Sequence, residues 1–211
     1  EAETLKLKQA RTATFPSMVS VAAGGVSLAE IKAVSEGFPL RGNIRIADGL
    51  GQPERDMQSV PEPGTLWVAP NMLGKINVQV GDVLSVGRAN LRIAGIITRE
   101  PDNTLDYFGV APRVIINEAD LPATGLVQVG SRISYRLLLA GDKEMIEAFR
   151  AAVQPRLVRG QRIESVRDAR SEVRVSLDRA GRFLGLAALL SVILASVAVA
   201  LAARRFSQRQ M

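Results

Sequence analysis

The sequence predicts an α+β domain followed by a long helix that becomes a transmembrane helix. Three observations carry this. Short apolar runs punctuated by Gly and Pro fill residues 17–139, the signature of strands and turns. Helical periodicity appears at 143–153 and again from about Asp168. That second helix runs into Phe183–Ala203, FLGLAALLSVILASVAVALAA, twenty-one residues without a charge, Pro, Asn or Gln. At 1.5 Å per residue this is about 31 Å of helix, which matches the roughly 30 Å hydrocarbon core of a bilayer.

The elements follow in order. Ser17–Ala22 alternates loosely and stops at the Gly24-Gly25 turn. Ser27–Val34 fits strand or helix. Its tight bracketing by Gly25 and Gly37 favours strand, as does a second strand, Asn43–Ala47, after the Phe38-Pro39 turn. Residues 48–64 hold three Gly and three Pro and read as a loop. Thr65–Ala69 is a short buried strand with Trp67 in the core, and Pro70–Ile76 a short helix with Pro at its start. Val83–Val86 and Ala89–Ile97 form a hairpin through Gly87-Arg88. Leu91, Ile93 and Ile97 share a face of its second strand, and Gly95 marks a bulge.

Arg113–Ile116 and Arg132–Leu139 are further strands, the latter with Ile133, Tyr135 and Leu137 on one face. Asp142 caps a helix whose face is Met145, Phe149, Ala152 and Val153, and Pro155 ends it. Gln161–Val166 reads as a short strand. From Asp168 a stalk helix places Val173, Leu177 and Ala180 on one side among charged residues, with no Pro before Ala203. Phe183 opens the membrane run. Gly181, Gly185, Ala188, Ser191, Ala195, Ala198 and Ala202 then recur at steps of three and four, a small-residue stripe that admits a neighbouring helix. Plain Ala-richness is the alternative reading.

Composition excludes several functions. With no Cys and no His there are no disulfides, no Cys/His zinc site and no Ser-His-Asp arrangement. The net charge is +6, but three basic residues fall in the last eight, and the other charges of both signs are scattered. Nucleic-acid binding needs clustered basic residues with aromatics and is not expected. Asp102 and Asp106 read as solvated loop acids, and Asp48–Gly51 lacks the P-loop Lys-Ser/Thr. No catalytic, cofactor or metal site is expected. The chain starts at Glu1 and stops eight residues beyond the apolar run, and reads as a fragment of a longer membrane protein.

Three blocks carry a resemblance. They are VQVGDVLSVGRANLRIAGIITREPD (78–102), APRVIINEADLPATGLVQVGSRISYRLLLAG (111–141), and the helix entering the membrane at RFLGLAALLSVILASVAVALAARRFSQR. In this order they resemble the FtsX-like ABC transporter permeases, and within them the YbbP kind. The APR-V-I-N-ADL and TG-VQ-GSR stretches are the more specific parts. The resemblance implies a MacB-like periplasmic core domain. Its porter-like α+β part would be residues 1–62 and 141–168, and its β-rich insert residues 63–140. Residues 169–182 would be the stalk, 183–203 the second membrane helix and 204–211 the start of a cytoplasmic segment.

It further implies an inner-membrane protein with residues 1–182 periplasmic. Arg residues flank the run on both sides, so this orientation rests on the resemblance and not on the positive-inside rule. The implied function is a permease subunit without catalytic residues of its own. It would couple cytoplasmic ATP hydrolysis to a periplasmic movement that exports or extracts a lipid-like or hydrophobic substrate. Implied partners are a cytoplasmic ABC ATPase, the lipid bilayer, and a periplasmic esterase or thioesterase. The rival reading is a membrane-tethered extracytoplasmic sensor or interaction domain with no transport role. Further hydrophobic spans elsewhere in the reading frame separate the two.

Overall fold

The computed structural model describes residues 7–22, 24–101, 111–165, 181, 183–185, 188, 191, 192 and 195. The chain divides into two compact units, Glu1–Ala152 and Val153–Met211.

The first unit is built on nine described strands. They are β1 (Lys8–Val21), β2 (Val26–Val34), β3 (Ile44–Ala47), β4 (Glu54–Met57), β5 (Thr65–Val68), β6 (Val83–Val86), β7 (Ala89–Arg99), β8 (Arg113–Asn117) and β9 (Ser134–Ala140). The strand order is β4-β3-β7-β5-β8-β2-β1-β6, and β6 also pairs β7. That last pairing closes β1, β2, β8, β5, β7 and β6 into a ring, a small barrel. β2–β8 and β5–β7 are parallel and the other pairs antiparallel. Strands from residues 1–62 and from 63–140 therefore interleave in one sheet.

Two long strands exchange neighbours midway. β1 pairs β9 from Lys8 to Thr14 and β6 from Val19 to Val21. β7 pairs β6 from Ala89 to Arg92, then β3 from Ile96 to Arg99. So β9 and the β3–β4 hairpin extend away from the ring.

The period-2 alternation of strands explains the core. Phe15, Ile31, Leu66, Leu84, Leu91 and Val114, one from each ring strand, belong to a single buried cluster. This is the barrel interior. α1 (Pro70–Ile76) adds Met72 and Ile76 to it. Pro occupies the first turn of α1, and Asn77 closes it in the left-handed region at φ 52°, its N–H donating to the Leu73 carbonyl. The residues between, Val34, Trp67 and Ile115, point the other way into a second cluster around Phe38, Ile44 and Ile46.

Four expectations need correction. Leu91 and Ile93 are interior, but Ile97 joins the outer cluster. The cause is the bulge at Gly95: Leu66 faces Ile93 while Trp67 faces Gly95, so one β7 residue is extra and the face inverts beyond it. Gly95 fits because a Cβ there would lie 3.1 Å from the Ile46 side chain. Second, the 48–64 loop contains β4. ERDM has no apolar alternation, and its pairing with β3 is reinforced by Arg45–Asp56 at 2.9 Å and Arg55–Asp48 at 2.8 Å. Third, the strand expected at Arg132–Leu139 is Ser134–Ala140, so Ile133 lies before it and packs on the interior cluster, while Tyr135 and Leu137 are exposed on β9 outside the ring. Fourth, residues 161–165 form no strand.

α2 (Leu121–Thr124) and α3 (Lys143–Val153) complete the first unit's helices, and a 3-10 turn at Gln154–Arg156 follows α3 where Pro155 was expected to end it. In the second unit the described members of the apolar run, Phe183, Leu184, Gly185, Ala188, Ser191, Val192 and Ala195, are all helical and exposed. Among the described residues no helix is long and apolar enough to cross a membrane. Val173, Leu177, Ala180, Ala198 and Ala202 lie outside the described residues, as do Asp102, Asp106 and Val166.

Candidate functional site

Two features of the barrel combine charge or polarity with shape. The first is a buried ionic network on its outer face. In β2 the alternation that sends Ala29, Ile31 and Ala33 inward sends Glu30 and Lys32 outward. The parallel register sets Arg113 of β8 beside Glu30, and Glu100 follows β7 directly. Lys32 Nζ meets Glu100 Oε1 at 2.5 Å, and Arg113 Nη1 meets Glu100 Oε2 at 2.9 Å. Arg113 also donates from Nη2 and Nε to Glu30 Oε2 at 2.6 and 3.0 Å. The Lys32 ammonium lies 4.4 Å from the centre of the Phe38 ring, a cation–π contact.

The Glu100 side chain is 1% exposed. Burial alone pushes its carboxyl up, but the charges and hydrogen bonds of Lys32 and Arg113 outweigh that and hold it below the usual carboxylate range. Burial likewise pulls Arg113 down, and Glu100 and Glu30 more than restore it. A carboxylate kept ionised this firmly has no proton to give, so the cluster is unsuited to acid catalysis. Its two positive and two negative charges tie the end of β7 and the start of β8 to β2. The sequence reading missed it, because charges spaced along three elements show no local pattern. The alternation of β2 was the available signal.

The second feature is an open groove of about 230 Å³ between β1 and the segment after α2. It lies where β1 has left β9 at Thr14 and not yet met β6 at Val19. Phe15 and Pro16 form one wall, Leu126 and Ile133 the other, with Arg132 at the rim.

The two stretches singled out in the sequence build these features. In APR-V-I-N-ADL, Arg113 enters the network. Asn117 accepts from Ala119 N at 2.9 Å and donates to the Pro61 carbonyl at 2.8 Å. Asp120 accepts from Gly64 N through both oxygens at 3.1 and 2.9 Å. In TG-VQ-GSR, Thr124 donates to the Leu121 carbonyl at 2.7 Å and Gly125 turns at φ 64°. Ser131 Oγ donates to the Leu126 carbonyl and accepts from Gln128 N, both at 3.0 Å. All of these brace the chain. Arg132, the last of them, has no side-chain partner among the described residues.

Of the sequence-expected membrane and stalk residues, Phe183, Gly185, Ala188, Ser191 and Ala195 are described, each an exposed helical position. Among the described residues no cluster of three His, Cys, Asp or Glu is placed to hold a metal.

No protein-family model matches the chain. It is 33% identical over 207 residues to the ABC transporter permease YbbP of Escherichia coli (strain K12); the match covers 98% of this chain and 24% of that protein, so the chain spans about a quarter of the relative's length. Among solved structures it is similar to the extracellular domain of the noncanonical ABC-type transporter YknZ from Gram-positive bacteria, with TM-score 0.48, 10% identity, and 74% of this chain and 81% of that one covered. It is also similar to the periplasmic region of MacB from Actinobacillus actinomycetemcomitans, with TM-score 0.42, 14% identity and 72% of each chain covered.

Proposed function

The chain is homologous along nearly its whole length to one segment of an ABC transporter permease, and from that premise we propose that it is the periplasmic domain and second membrane helix of such a permease. Residues 1–182 stand in the periplasm and 183–203 cross the inner membrane. A separate cytoplasmic ATPase subunit hydrolyses ATP. The helix from about Asp168 to Ala203, with Val173, Leu177 and Ala180 on its stalk face, passes the resulting movement to the barrel. The cargo is a lipid-like or hydrophobic molecule, and a periplasmic esterase or thioesterase is a further partner. This chain is the non-catalytic part.

One observation carries the reading: the 33% identity extends over 98% of the chain, through strand domain and apolar run alike. The exposed helical positions of that run support it, since an apolar helix exposed on this scale needs lipid or another helix around it. The test is affinity purification of the full-length protein from membranes. Copurification of an ABC ATPase whose hydrolysis rate changes on reconstitution with it is the expected result. Purification with no ATPase at any detergent condition overturns the reading.

A further inference from the structure

Among the described residues Arg132 is the one charged residue lining the groove beside β1. Its guanidinium has no ion pair or hydrogen bond among the described residues. The walls are apolar: Phe15 belongs to the barrel core, Leu126 and Ile133 pack on that core, and Pro16 presents no N–H. The rim hydroxyl of Ser131 is already committed on both sides, and Ser17 Oγ makes only a long contact of 3.4 Å to the Met18 carbonyl. An apolar slot with one cation that no described residue neutralises is complementary to an apolar chain that ends in an anion. The size limits the chain. About 230 Å³ is below the roughly 300–1,000 Å³ of sites for drug-sized ligands, so the groove holds a short stretch of a single tail.

We propose that this groove binds the head end of a single-chain anionic amphiphile, a fatty-acid-like carboxylate or an alkyl phosphate. Arg132 engages the charge, and Phe15, Pro16, Leu126 and Ile133 surround the first carbons. The inference rests on the proposed lipid-like cargo and names its chemistry. It fails separately: the absence of an ATPase partner overturns the permease reading without touching binding in the groove.

The test uses the full chain in zwitterionic lipid nanodiscs with 13C-labelled Leu and Ile methyl groups, titrated with octanoate, octyl phosphate or octanol. Saturable shifts at Leu126 and Ile133 are expected with the anions. Octanoate alone identifies a carboxylate ligand, octyl phosphate alone a phosphate headgroup, and both together recognition of charge. Arg132→Gln removes a charge-assisted bond and is expected to weaken anion binding about tenfold or more while leaving octanol unchanged. Arg132→Lys keeps the charge and retains most of the binding. Arg132 is exposed, so both variants keep the fold, and unchanged emission from the buried Trp67 checks this. Shifts confined to other methyl groups, or anion binding indifferent to Arg132→Gln, overturn the proposal.

Discussion

At the scale of single residues, the Lys32–Glu100–Arg113–Glu30 network makes the sharpest predictions. Removing the sole partner of a buried charge costs about 3–5 kcal/mol, but Glu100 without Lys32 still holds Arg113 at 2.9 Å. Lys32→Met is therefore expected to lower stability by less than that, about 1–3 kcal/mol. Adding Glu100→Gln removes a carboxylate left with one cation in place of two, so the double variant costs less than the sum of the single changes, a coupling of about 0.5–3 kcal/mol. Trp67, the single Trp and 2% exposed, reports unfolding in urea by its emission. Strict additivity of the two changes refutes the arrangement. The pH dependence has a fixed sign. The Glu100 carboxyl is held below its ordinary range when folded, so the folded state binds fewer protons there and acid favours unfolding. Its contribution is complete above the ordinary glutamate value of about 4.3 and is lost as pH falls below it. Melting temperatures of wild type and Glu100→Gln are expected to differ most near neutrality and to converge as the pH falls into the acid range where Glu100 takes up its proton in the folded state. Arg113 is held above its already alkaline value and adds nothing to this window.

Elements divide into those marked by local chemistry and those made by long-range pairing. The β6–β7 hairpin was legible because Gly87-Arg88 separates two apolar runs, and α1 because Pro70 opens it. β4 was not, since ERDM is held by β3 and by cross-strand charges. The first half of β1 was equally silent: its buried positions are Ala10, Thr12 and Ala13, too small or polar to show as an apolar run. The hairpin yields a comparison. A Cβ on Gly87, at φ +61°, would lie 2.2 Å from the Thr124 carbonyl oxygen and 2.8 Å from Leu126 Cγ. A Cβ on Gly51, at φ +75°, meets nothing within 4 Å. Gly51→Ala is expected to cost only the left-handed penalty of about 1–2 kcal/mol. Gly87→Ala adds a backbone clash and displaces the turn that carries Leu126, so it is expected to destabilise more. Equal urea midpoints for the two variants contradict the docking of this turn on the hairpin.

For the molecule as a whole, the α+β class and the apolar run were readable, while closure of the barrel was not. Closure depends on β6 meeting both β1 and β7, a register set by side chains far apart in sequence. The candidate site was half legible: Arg113, Asp120, Thr124 and Ser131 stood in recognisable stretches, and Thr124 and Ser131 bond within their own turn, but the partners of Arg113 and Asp120 come from other segments. The proposed function makes its own demand at this scale. A movement at the membrane reaches the barrel only through a connection that keeps its direction. Residues 168–203 number thirty-six, and on the proposed reading, as one helix at 1.5 Å each, they would span about 54 Å, enough to cross the bilayer and stand roughly 20 Å above it. No Pro interrupts them, and Gly181 and Gly185 are the weak points, each worth about 1 kcal/mol relative to Ala in an exposed helix. In the proposed continuous helix Val175→Pro would remove a backbone hydrogen bond and clash with the preceding turn, at about 3 kcal/mol of local helix stability. The barrel lies outside this segment, so Trp67 emission and the urea midpoint are expected to stay as in wild type. ATP hydrolysis by the partner is expected to persist while transport-dependent growth is lost. Val175→Pro that complements fully at normal protein levels shows that the stalk does not need to be continuous. Loss of hydrolysis together with growth places the defect in assembly with the ATPase and not in transmission.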